Sequence, residues 1–125
     1  MIVLDAGALI ALERNDRAMW AALKAAAIAN EEVLVPATAL AQVWRNRASQ
    51  ATLARALGNC VVASFDGVAR EVGELCGKSR MEDICDAHVA LVAATHGATL
   101  YTSDTGDMRR LVDACRKKRV VIVAC

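Results

Sequence analysis

Five aspartates are the residues of this 125-residue chain whose type and spacing could do chemistry. Asp83 and Asp86 stand three apart at the start of an otherwise apolar stretch, and Asp104 and Asp107 stand three apart just beyond ThrLeuTyrThr. Asp5 follows the opening IleValLeu. Acids at i and i+3 share one face of a helix. Collecting carboxylates is costly: two of them about 5 Å apart repel by roughly 3 kcal/mol at an effective dielectric of 20. With three or four together, some hold a proton near neutral pH unless a cation neutralises them. Clustered oxygen donors in a chain with only two histidines suit a hard ion, Mg²⁺ or Mn²⁺, rather than zinc.

A structural role competes at each position. Asp5 and Asp104 each precede an expected helix, where an aspartate serves as N-cap. Asp107 complements the dipole of the helix it begins. Asp86 differs, because the helix it opens is apolar all round from Val89 to Ala94 and must be buried. A carboxylate facing that interior has to be paired, protonated or bound to metal. Asp83, three residues earlier, either shares that face or points to solvent from the helix start. Cys85 and His88 form a Cys-x-x-His pair, but the two further ligands of a zinc site are missing. His88 is therefore read as a core or pocket-edge residue, and Trp44 as a core or interface anchor. There is no serine elbow, no GxGxxG and no GxxxxGK, which removes the serine-hydrolase, dinucleotide and P-loop classes.

The elements that must position these acids follow from the apolar runs. Strands are expected at 2–4, 33–35, 60–63, 99–102 and 120–123. Between them fall helices at 7–14, from Asp16 to about Asn30, from a Thr38 cap through a second piece to Leu57, from an Asp66 cap to Gly77, at 83–96 ended by Gly97, and at 105–115. Apolar strands alternating with helices imply an α/β fold with a parallel sheet covered on both faces, about five-stranded, in one domain spanning 1–125. Ligands in such folds sit beyond the carboxyl ends of the strands. Asp5 and Asp104 both lie there.

Hydrophobic residues make up 56% of the chain, yet no apolar run approaches the roughly 18 residues a membrane span needs. Asp5 interrupts the opening apolar run, which reads as a strand entering a helix rather than a signal peptide, so the cytoplasm is the expected compartment. Five cysteines without CxxC spacing fit reduced thiols rather than a disulfide framework. The net charge of +1 does not favour nucleic acid, although arginines gather at Arg45, Arg47 and Arg55 and again from Arg109 and Arg110 to Arg119. Either group by itself reads as a solvated face.

The motifs IleValLeuAsp at 2–5, ValProAlaThrAlaLeuAlaGlnValTrpArg at 35–45, AspAlaHisValAla at 86–90 and ThrSerAspThrGlyAsp at 102–107 span nearly the whole chain. In order and spacing they resemble a PIN domain, most closely a VapC-type toxin ribonuclease. The resemblance implies a three-layer α-β-α sandwich and a Mg²⁺- or Mn²⁺-dependent endoribonuclease. It also implies a homodimer and a small antitoxin protein that inserts a segment into the acidic groove. Carried onto this chain, the metal-binding acids are Asp5, Asp86 and Asp104, with Asp107 a further member and Thr102 supporting by hydrogen bonding. Arg45, Arg109 and Arg110 are the candidates for holding the RNA backbone. One departure matters: where the family presents a glutamate on the third helix, this chain has Gln42. An amide supplies neither charge nor a base, which leaves a second expectation open, a PIN-fold binding module with weak or no nuclease activity. Asp83 is placed to restore part of the missing charge. A receiver-type phosphoacceptor domain would need an acidic pair at the first strand and a lysine after the last, and both are lacking.

Overall fold

Five short apolar runs form the expected sheet in the computed structural model, which describes all residues from Met1 to Cys125. The strands are β1 (Ile2–Leu4), β2 (Val33–Pro36), β3 (Val61–Ala63), β4 (Thr99–Thr102) and β5 (Val121–Ala124). All pair in parallel, in the order β3-β2-β1-β4-β5. The helices are α1 (Ala6–Glu13), α2 (Arg17–Ile28), α3 (Ala37–Val43), α4 (Ala51–Leu57), α5 (Ala69–Ser79), α6 (Ile84–His96) and α7 (Thr105–Cys115). The chain steps outward from β1 to β3, then returns past β1 to β4 and β5. Right-handed crossovers therefore send the connections before β3 to one face and those after it to the other. The result is the three-layer α-β-α sandwich. No helix is long and apolar enough to cross a membrane.

The return past β1 makes β1 and β4 neighbours whose connections leave on opposite faces. A crevice opens beyond their carboxyl ends, where open α/β sheets place ligands. Register fixes what lines it: Leu4 pairs with Tyr101, so Asp5 and Thr102 come next at the same level. The Asp5 amide continues the ladder by donating to the Tyr101 carbonyl at 3.2 Å.

The most deeply buried helix is α6, in which every residue from Ala87 to Ala94 is buried. Four of these eight are alanines, so the helix lies close under the sheet while α5 and α7 cover it. Gly97 ends it at φ +63°, a left-handed cap that any side chain would strain. At the carboxyl edge α3 packs on both α1 and α6, joining the two faces.

Three local expectations are corrected. Thr38 does not cap α3, whose N-cap is Pro36 without a side-chain bond; the threonine hydroxyl turns to His88 instead. Asp66 begins a single 3-10 turn (Asp66–Val68) rather than capping a helix, and α5 starts after it without a side-chain cap. The third strand is not buried: it is the sheet's edge, and Val61 and Val62 are about half exposed, at 50% and 49%.

Leu100, fully buried on β4, is surrounded by this core. Leu100→Ala is expected to lower stability by about 2–5 kcal/mol through lost burial and the cavity left behind. Denaturant titration checks this, and a loss below about 1 kcal/mol would show that the core around β4 closes over the gap.

Candidate metal centre

Three helices begin at the crevice, and an aspartate caps each one. Asp5 Oδ1 accepts from the Ala8 amide at 2.8 Å, Asp83 Oδ1 from the Asp86 amide at 2.9 Å, and Asp104 Oδ1 from the Asp107 amide at 3.1 Å. Each carboxylate spends one oxygen on its own helix, and the second accepts no hydrogen bond from the protein. Capping and ligation are thus compatible roles for the same residue. The convergent helix N-termini also set partial positive charge against the gathered acids.

Asp5 is buried, with 4% exposure, whereas Asp83, Asp104 and Asp107 are exposed and Asp86 stands half-buried between them. Burial pushes the Asp86 carboxyl up to about 6, and the charges of Asp83, Asp5, Asp104 and Asp107 push in the same direction. All four other acids act on this one residue. Asp107 is raised too, first by the neighbouring Asp104 carboxylate, while Arg110 opposes the shift. The tightest donor group is Asp83, Cys85 and Asp86, whose ligand atoms lie within 4.8 Å of one another. Asp5 and Asp104 stand outside that group, within electrostatic reach of it. Cys85 is a poor soft donor here: burial, with the charges of Asp86, Asp83 and Asp5, raises its thiol to about 11. Charged oxygen remains the dominant chemistry of the site, which fits a hard divalent cation.

The elements around the acids are held by contacts that distant residues make. Gly7 lies against Ser103 so closely that a Cβ at position 7 would stand 2.5 Å from the serine Cβ. Only glycine lets the start of α1 approach the β4–α7 turn, and with it Asp5 approach Asp104. Thr102, fully buried, accepts the Asp104 amide on its hydroxyl at 3.0 Å. His88, also fully buried, is kept neutral by burial. Its Nε2 lies 3.2 Å from the Ser64 carbonyl, which can only accept, so Nε2 carries the proton and Nδ1 accepts from the Thr38 hydroxyl at 2.8 Å. Two residues after Asp86, this chain of bonds ties α6 to α3 and to the end of β3.

The remaining candidates lie around this centre. Gln42 is exposed on α3, beside a cleft that begins at Ala6. Arg45 lines the same cleft. Arg110 lies near Asp107, whose charge it offsets. Arg109 is engaged elsewhere: it pairs with Asp113 at 3.7 Å and reaches the Val120 carbonyl at the opposite end of β5.

An all-parallel α/β domain that draws carboxylates from β1, α6 and the β4–α7 turn to its switch point is an acid-site domain of definite type. A PIN domain profile matches residues 2–113, and the chain belongs to that family. Solved structures share the fold. VapBC2 from Rickettsia felis, solved bound to a DNA fragment from its promoter, gives a TM-score of 0.73 at 17% identity over 100% of this chain and 99% of that one. FitAcB from Neisseria gonorrhoeae gives 0.62 at 19% identity, covering 97% and 96%. PAE2754 from Pyrobaculum aerophilum gives 0.61 at 22%, covering 96% and 90%. No curated protein sequence matches the chain.

Two outcomes are expected from this geometry. The folded pKa of Asp86, about 6, lies above its ordinary 3.8, so in that window the native state binds more protons than the unfolded one. Its contribution to stability is therefore complete below the window and lost as pH rises through it. Metal-free Asp86→Asn should melt above the wild type at pH values over about 6 and match it at the acid end. Thermal melts across that range check the sign, and a less stable variant at neutral pH contradicts it. Gly7→Ala should displace Ser103 and with it Asp104. A misplacement near 1 Å at a reacting centre costs on the order of a hundredfold in rate. Metal titration and turnover beside a melting curve separate that loss from unfolding.

Proposed function

We propose that this protein is a Mg²⁺- or Mn²⁺-dependent endoribonuclease, the toxin of a toxin–antitoxin pair. The observation that carries the reading is the set of aspartates that cap α1, α6 and α7 at the carboxyl edge of the sheet, with half-buried Asp86 in the first turn of α6. Asp5, Asp86 and Asp104 hold the cation, with Asp107 a further ligand at the exposed rim. Thr102 keeps Asp104 in place through its amide, and Asp83 adds charge from the start of α6. When bound, the cation supplies Lewis-acid polarisation of the phosphodiester and a nucleophile at neutral pH. The protein's own part is to gather the acids and hold their backbones in place. Buried Asp5 is held by the bond it accepts from the Ala8 amide, and the bonds of His88 fix α6 two residues after Asp86. Arg45 and Arg110 are the side chains that attract the backbone, whereas Arg109, paired with Asp113, is turned away from the acids.

The shared fold with VapBC2 and with FitAcB supports a small antitoxin protein as the partner. A homodimer and a cytoplasmic setting belong to the same reading. The test is direct. Purified protein should cut RNA only when Mg²⁺ or Mn²⁺ is added, and Asp86→Asn should abolish cutting. Full activity in EDTA, or in the Asp86 variant, refutes the assignment.

Gln42 favours a second reading, a PIN-fold module that binds RNA or a protein partner with little or no cleavage. Calorimetric metal titration of the wild type beside Gln42→Glu separates the two. A silent scaffold gains metal affinity from the glutamate, whereas a working site already binds the cation without it.

A further inference from the structure

Beside the acids lies a cleft of opposite charge. Ala6, Glu13, Arg14, Gln42, Arg45 and Arg47 are among the residues lining an open groove of about 400 Å³ between α1 and the end of α3. Its first residue, Ala6, directly follows Asp5, and its far end is Arg14, about 12 Å away along α1 at 1.5 Å per residue. The cleft thus reaches the residue next to Asp5 and leads outward along α1. None of its three arginines forms an ion pair with an acid. The one acid present, Glu13, accepts a hydrogen bond from the Gln50 amide at 2.7 Å.

The walls are built rather than incidental. Gln50 is buried, with 4% exposure, and all its bonds are made. Its amide nitrogen donates to Glu13 on α1 and, at 2.9 Å, to the Val43 carbonyl at the end of α3, while its oxygen accepts the Arg45 amide at 2.8 Å. This one side chain clamps both sides of the cleft. The Arg45 guanidinium is folded back on α3, donating to the carbonyls of Ala41 at 3.2 Å and Trp44 at 2.8 Å. Asn46, at φ 56°, turns the chain between Arg45 and Arg47 so that both reach the cleft.

We infer that this cleft is a phosphate subsite for the RNA strand, in which Arg14, Arg45 and Arg47 take a backbone phosphate beyond the one at the acids and the Gln42 amide donates to it. The inference rests on the nuclease reading above and deepens it. A glutamate at position 42 would place a negative charge among the arginines and repel the phosphate, whereas an amide carries two N–H donors. The position that lost a carboxylate thereby suits anion recognition. An acidic segment of a protein partner is the competing occupant. The step of one residue from Asp5 to Ala6 favours RNA, because a strand held at the acids by one phosphate has to leave along a charged track.

The test is binding of a fluorescently labelled single-stranded RNA, followed by anisotropy in EDTA across a salt series. Each phosphate contact contributes about 0.7 to the slope of log K against log salt on a single strand. Arg14→Ala with Arg47→Ala should flatten the slope by about 0.7, the share of the one phosphate they hold, and Arg47→Lys, which keeps the charge, should leave it unchanged. Gln42→Glu should weaken binding at every salt concentration. With Mg²⁺ present, the loss in the double variant falls on KM rather than kcat. Melting curves matching the wild type certify the fold, since both side chains are exposed. An unchanged slope in the double variant overturns the subsite and leaves the cleft to an acidic protein segment; absence of RNA binding by the wild type also overturns it. Failure of the nuclease reading shows separately, as RNA that binds with this slope and is never cut.

Discussion

Mutual repulsion of carboxylates at one edge of the sheet is the constraint to which the rest of this structure answers. Left alone, acids this close shed charge by taking up protons, and Asp86, raised to about 6 first by burial and then by its four acidic neighbours, is pushed that way. The fold opposes it with three helix N-termini and a hydrogen bond from each helix to its own aspartate. Those devices moderate the repulsion without removing it. A site left in this state is poised for a cation, because the remaining free energy is released only when positive charge arrives. The arrangement resembles a helix cap that has been extended into a binding site.

The cost also explains how the surrounding protein is distributed. Two of the residues nearest the acids, Gly7 and Thr102, act through shape and backbone bonds and carry no charge. Position 7 must be small so that two acid-bearing segments can approach, and Thr102 must offer a hydroxyl so that the Asp104 amide is not left unpaired beside the site. A cation from the protein placed here would compete with the metal. The arginines stand accordingly outside the ring, at the rim near Asp107 or down the cleft past Ala6.

Much of the fold was legible in the sequence, for reasons that particular residues show. Strands buried on both faces read as unbroken apolar runs, and β1 and β2 did so cleanly. Capping aspartates before α2, α6 and α7 marked those helix starts within a residue. The misreadings came where a side chain's partner is far away in sequence. Thr38 has the type of a cap, but His88, fifty positions on, takes its hydroxyl. Asp66 sits before a helical run, yet a 3-10 turn intervenes. The edge position of β3 depends on strand order, which no local pattern encodes. At the site, the acids were visible because their types are unusual beside apolar segments. Gly7 and Gln50 were not, because a glycine near a strand end and a glutamine in a polar loop carry no signal until the Ser103 contact and the Glu13 bond are seen.

Gln42 looks different once its surroundings are counted. Judged against the family pattern it is a missing acid, and the natural question is what replaces its charge. Asp83 supplies one answer, since it stands in the tightest donor group with Asp86 and adds to the push on its carboxyl. Yet charge is not short at the centre, where Asp86 is already raised by four others. A sixth carboxylate, on α3, would raise the repulsion further while lying in a cleft whose ionised neighbours are three arginines and the tied-up Glu13. Acid at this position would neutralise the cleft; amide leaves it positive. The substitution therefore divides the surface into two regions of opposite sign that meet at Ala6. On the reading proposed above, a polyanion bound across that boundary would be held at one region through a cation and at the other by guanidinium groups directly.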